Sequence, residues 1–102
     1  MFKTFIYHKI SRDRFEVSPD STADLANDFK LIGWTNESDL NNVFQMFNTI
    51  DVPFWEHPDV TLNDGLEGAR SLSVGDVIQT KEGDLFEVQP MGFKKVQWVS
   101  NS

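Results

Sequence analysis

From residue 77 onward, three apolar runs are joined by links too short for more than one arrangement. Residues 77–80 lead into Lys81-Glu82-Gly83-Asp84, residues 85–89 into Pro90-Met91-Gly92, and residues 93–99 follow. Strands joined by three or four residues must run antiparallel, since a parallel crossover needs a dozen residues or more. Gly83 suits the positive φ that such a turn demands. The segment therefore reads as a three-stranded meander, with Phe86, Val88, Phe93, Val96 and Trp98 directed at a core.

The run that launches the meander, Arg70-Ser71-Leu72-Ser73-Val74-Gly75-Asp76-Val77-Ile78, reads as a tight turn. Gly75 supplies the backbone angle, while Ser71, Ser73 and Asp76 supply hydrogen bonds to backbone groups. Arg70 is placed to meet Asp76 as a planar fork meeting a carboxylate. Gly92 serves the second hairpin turn. An anion gripped by Arg70, Ser71 and Ser73 is the functional alternative, but turn chemistry accounts for every residue without a ligand.

Upstream, residues 2–8 alternate loosely and are rich in aromatic and β-branched types, which predicts a strand; residues 15–17 suggest another. Ser18-Pro19-Asp20 has the form of a helix start, and Leu25, Ala26 and Phe29 then share a face, predicting a helix over 19–29. Residues 31–35 look extended. The clearest helix spans 37–49, capped by Asn36, with Leu40, Val43, Phe44, Phe47 and Ile50 on one stripe. The expected fold is one α+β domain over residues 1–100: a small antiparallel sheet ending in the meander, packed against one longer and one shorter helix.

At 102 residues there is room for a single domain. Thirty-nine per cent of the residues are hydrophobic and nine are Phe, enough for a core without staples. No cysteine is present, so disulfides, thiolate metal sites and cysteine nucleophiles are excluded. No leader-like or membrane-length apolar run occurs, which leads us to expect a cytoplasmic protein with no membrane partner.

The net charge of −7 is concentrated. Residues 31–69 contain no Lys or Arg but hold Glu37, Asp39, Asp51, Glu56, Asp59, Asp64 and Glu67; elsewhere nine acids match nine bases. Such a stretch suits a basic partner surface, although solubility is the plainer explanation. Within it, residues 53–66 lack a clean period and hold the adjacent pair Phe54-Trp55. One of two neighbouring large side chains in an extended loop can face solvent, as a protein-binding anchor does; the plainer reading clamps both onto the core. Asp51, Phe54, Trp55, Glu56, Asp59 and Asp64 are therefore the candidate partner-binding residues.

His57 lies between Glu56 and Asp59 in an order that fits no metal motif, and His8 is remote in sequence. Nothing supplies a nucleophile, base and oxyanion donor together, and no phosphate-cradling loop is present. The sequence thus predicts no catalytic residues, no metal and no cofactor. Lys81, Lys94 and Lys95, near Trp98, are the one basic spot, so nucleic-acid binding is the weaker alternative. Carboxylates mimicking phosphates would be a third mode.

The order of helix 43–48, irregular Pro-bearing loop, the run 70–78, Phe86 and Gly92-Phe93 resembles the small YodL-like proteins of phages, plasmids and integrative elements. The likeness covers residues 40–96 and is carried by Phe44, Phe47, Asn48, Arg70, Ser71, Ser73, Gly75, Asp76, Gly92 and Phe93. It implies an intracellular accessory protein without catalysis. The expected function is therefore that of a monomer or small homo-oligomer that binds and modulates a host protein with a basic surface. A small nucleic-acid-binding module of PUA-like or barrel-like type is the alternative; its Val-Gly-Asp turn has a counterpart in residues 74–76.

Overall fold

A computed structural model describes residues 3–10, 22–23, 29–48, 56, 58–66, 68 and 70–98. Seven strands and one helix are found among them: β1 Thr4–Lys9, β2 Thr22–Ala23, β3 Phe29–Thr35, α1 Leu40–Met46, β4 Val60–Leu62, β5 Val77–Gln79, β6 Leu85–Val88 and β7 Phe93–Trp98. They form a single sheet in the order β2-β7-β6-β5-β1-β3-β4. Six strands pair antiparallel, and the two-residue β2 joins β7 in parallel at Gln97 and Trp98.

This corrects the expected fold class. The meander β5-β6-β7 is present, but as part of a sheet that continues through β1 to β3 and β4, with one short helix among the described residues. The helix expected over 19–29 fails at both of its described places: Thr22 and Ala23 pair with β7, and Phe29 opens β3 opposite Lys9. Phe29 is 8% exposed in a cluster with Val77, Leu85 and Val96, so burial on the sheet prevails over the local helical spacing. The strand expected at 15–17 lies outside the described residues.

Alternation along the strands, broken by a bulge at Ile32 of β3 opposite Ile6 and Tyr7, sends side chains to both faces. Ile6, Ile78 and Val88 join Ile32, Val60, Leu72, Val43 and Phe47 on the helix side. Val77, Leu85 and Val96 join Phe29 in the second cluster, with Tyr7 packed against it. Both faces are therefore buried, as the continuous apolar pair Val77-Ile78 requires. Of the residues expected to face a core, Val88 and Val96 are buried and Phe86 and Phe93 half-buried. The Trp98 side chain lies outside the described part.

Helix α1 is capped by Asp39, not Asn36: the Asp39 carboxylate accepts the Asn42 N–H at 3.1 Å. The Glu37 carboxylate accepts the Ser38 and Asp39 N–H groups just before it, at 2.9 and 3.1 Å, and so shapes the entry. At the far end Asn48 Nδ2 donates to the Phe44 carbonyl at 2.8 Å. The Leu72 N–H donates to the Phe47 carbonyl, tying the helix to the approach to β5.

Candidate binding surface

Asp76 sits at the entrance to β5, where Gly75 takes φ 93° and lets the chain reverse. Its N–H donates to the Ser73 carbonyl at 3.0 Å. The pairing Tyr7↔Val77, continued one step, sets Asp76 across from His8 and beside the end of β1. The Asp76 carboxylate is fully buried and accepts four bonds: Arg70 Nη1 and Nη2 at 2.7 and 2.8 Å, the Ser73 N–H at 2.7 Å and the Lys9 N–H at 2.9 Å. Arg70 also donates to the Ser71 carbonyl at 3.0 Å. Ser73 Oγ reaches the same carbonyl at 3.4 Å, while Ser71 is exposed. With four donors on its two oxygens, Asp76 is a staple between the turn and β1.

His8 completes this cluster and was not singled out by the sequence, because only the sheet order brings it to Asp76. Its side chain is 6% exposed, and Nε2 lies 3.9 Å from Asp76 Oδ2 without a hydrogen-bond partner. Burial pushes the imidazole pKa down to about 4; Asp76 opposes that shift and Arg70 adds to it. The folded state thus keeps His8 neutral, whereas the unfolded chain titrates near 6.5. Stability from this group is complete above pH 6.5 and is lost as the pH falls towards 4, because the unfolded state then binds the extra proton. Urea unfolding should show a loss of about 2 kcal/mol between pH 7 and pH 5. A His8→Asn variant should flatten that slope, and an unchanged slope would disprove the assignment.

Of the candidate partner-binding residues, Glu56, Asp59 and Asp64 are exposed, while Asp51, Phe54 and Trp55 lie outside the described residues. Asp59 precedes β4 and Asp64 follows it. Because Val60 pairs with Thr35, the Asp59 end of β4 lies beside the chain leaving β3, which leads directly to Glu37 and Asp39. Asp59 thus lies on the side of β4 nearest the start of α1, while Asp64 follows the opposite end of the strand, beside Ile32 and Gly33. In the sheet order β3 and β1 separate β4 from β5, so the Arg70–Asp76 turn belongs to a different part of the molecule.

The lysines of the alternative site occupy the other half of the sheet. Lys95 Nζ lies 3.5 Å from Asp84 Oδ1, Lys94 is in register with Glu87, and Lys81 is exposed in the β5–β6 turn. Each lysine on β7 therefore has an acid across the hairpin, which weakens the spot as a phosphate track.

A groove of about 210 Å³ opens between α1 and the β6–β7 turn, lined by Asn41, Phe44, Val88, Gln89, Pro90, Gly92 and Phe93. Phe44 and Phe93 form its wall, meeting edge to face at 6.2 Å and 77°. Gly92 takes φ 80° there, with the Gln89 N–H donating to the Gly92 carbonyl at 3.0 Å. The sequence placed Phe44 and Phe93 wholly in the core; an apolar Met91 at a turn tip was the one available signal of a surface. Among the described residues no group of three or more His, Asp or Glu is placed to hold a metal ion, and no helix is long and apolar enough to cross a membrane. No family model, curated protein or solved structure matches the chain.

Proposed function

We propose that this protein is a non-enzymatic binding module that associates with a basic surface of a host protein through the acidic region around β4. The observation that carries the reading is the segregation of charge. Asp59 and Asp64 stand exposed at the two ends of edge strand β4, and the chain beside Asp59 leads to Glu37 and Asp39; Lys3, over the Trp34 ring, and Lys30 on β3 are bases on this side, whereas the β7 lysines face acids across their hairpin. Such a field speeds encounter with a basic partner and repels acidic ones. Phe54 and Trp55, in the same stretch of chain, would be the apolar anchors. A binding role also agrees with Asp76, whose carboxylate is saturated by structural donors. The setting in a phage or other mobile element, and action in the host cytoplasm, rest on the sequence resemblance alone.

Affinity capture from host lysate, read by mass spectrometry, tests the proposal. The wild-type protein should retain a basic protein at about 50 mM salt and lose most of it at about 300 mM. The combined variant Glu56→Lys, Asp59→Lys, Asp64→Lys should recover about tenfold less. Equal recovery by the two forms would overturn the acidic surface as the contact. Salt-sensitive retention of nucleic acid, abolished by Lys94→Glu with Lys95→Glu, would replace it with the alternative.

A further inference from the structure

Strand β4 ends the sheet: it pairs with β3 on one side and has no strand on the other among the described residues. Its register shows which backbone groups that leaves over. The Asn63 N–H donates to the Ile32 carbonyl at 2.8 Å, and the Thr61 carbonyl lies so close to Gly33 that any side chain there would collide with it. Backbone groups alternate in direction along an antiparallel strand, so Thr61 and Asn63 turn theirs towards β3. The N–H and C=O groups of Val60 and Leu62 therefore point out of the open edge. We infer that this edge receives an extended segment of the partner, which adds to the sheet as a further strand and alternates apolar with basic side chains. The inference rests on the β4 region being the contact, and supplies its mode of recognition.

The two faces of β4 set that alternation. Val60 is buried on the helix side, where Leu62 and Leu66 pack against the main cluster and are only half-covered. Thr61 is exposed on the other face. A strand laid beside β4 sends every second side chain to the helix side, next to Leu62 and Leu66, where an apolar one extends the core. Its remaining side chains emerge on the face of Thr61, with Asp59 and Asp64 exposed at the two ends of β4. There, charge selects the occupant. Lys or Arg is attracted by both carboxylates, whereas a second copy of β4 would bring acids against acids. In a chain of net charge −7, edge charge thus closes β4 to its own kind and leaves it open to a basic segment. Lys30, exposed on β3, stands outside the stretch 33–35 that pairs with β4. Val60 and Leu62 offer only a short ladder, so backbone pairing and charge must act together.

The test uses the whole protein with synthetic peptides, followed by NMR. A short peptide alternating lysine and valine should bind at least about tenfold more tightly than one of the same composition with its lysines and valines in separate blocks. On binding, hydrogen exchange at the Val60 and Leu62 N–H groups should slow by at least about tenfold, while the Thr61 N–H, already turned to β3, should not change. Asp59→Lys with Asp64→Lys should weaken the alternating peptide by about tenfold and leave the melting curve in place. The same peptide N-methylated at alternate residues, on the edge that meets β4, keeps its charge and should lose binding. Equal binding by alternating and blocked peptides, with exchange at Val60 and Leu62 unchanged, would overturn strand addition while leaving the acidic surface as the contact. Full binding by the methylated peptide would do the same, as would no binding of the alternating peptide at about 1 mM. Failure of the underlying reading is a separate result: host-protein capture indifferent to charge reversal at Glu56, Asp59 and Asp64 overturns both.

Discussion

Asp76→Ala is expected to lower the unfolding free energy by about 3–5 kcal/mol, the cost of breaking a buried ion pair by removing one partner. Four donors lose their acceptor at once: both guanidinium nitrogens of Arg70 and the N–H groups of Ser73 and Lys9. The Lys9 bond fastens the end of β1 to the start of β5, so the loss reaches from the turn into the middle of the sheet. Asp76→Asn should cost less, because one carbonyl oxygen remains, but its amide nitrogen then confronts Arg70. Arg70→Lys should not substitute, since a single ammonium cannot reproduce the two parallel bonds. Urea unfolding gives the comparison. An Asp76→Ala loss under about 1 kcal/mol would mean that water replaces the guanidinium freely and that the pair is a surface feature.

The second large effect is expected from Phe47→Ala, at about 3–5 kcal/mol. Phe47 is 0% exposed and packs in the cluster that includes Ile6, Val43, Leu72 and Ile78. Its carbonyl accepts the Leu72 N–H, so the residue joins the end of α1 to the segment approaching Asp76 by packing and by backbone at once. Truncation leaves a cavity between helix and sheet that neighbouring side chains refill only in part. Phe47→Leu keeps most of the volume and should cost less than about 1.5 kcal/mol. Losses of similar size for the two variants would show that shape, not volume, governs this site.

What the residues disclosed in advance was local. The meander strands follow from short links, Gly75 and Gly83 take the positive φ their turns require, and Arg70 meets Asp76 six residues away. Contacts set by sheet order were out of reach. Nothing in residues 4–9 states that β1 lies between β3 and β5, so the approach of His8 to Asp76, 68 residues apart, had no sequence signature. Strand β4 has three residues, too few for an alternation to register. The helical spacing that ended at Phe29 misled there because the same apolar residue serves either a helix face or a sheet, and only the partner decides. The groove escaped notice because a periodic stripe indicates which side of a helix is apolar, not how completely the sheet covers it.

The position of β1 sets a timetable for folding. Its pairing with β5 joins residues about 70 positions apart, as in the Tyr7–Gln79 contact, while its other side pairs with β3. During synthesis β3 is made first and can pair with β1 as soon as it emerges. The opposite edge of β1 must then wait for residues 77–79, roughly 2–9 seconds of elongation later. Throughout that interval a central strand is an edge, with unpaired N–H and C=O groups open to other nascent chains. A sheet closed by such distant pairing also folds slowly once released. Nascent-chain chaperones should therefore govern the yield of this protein more than its final stability does.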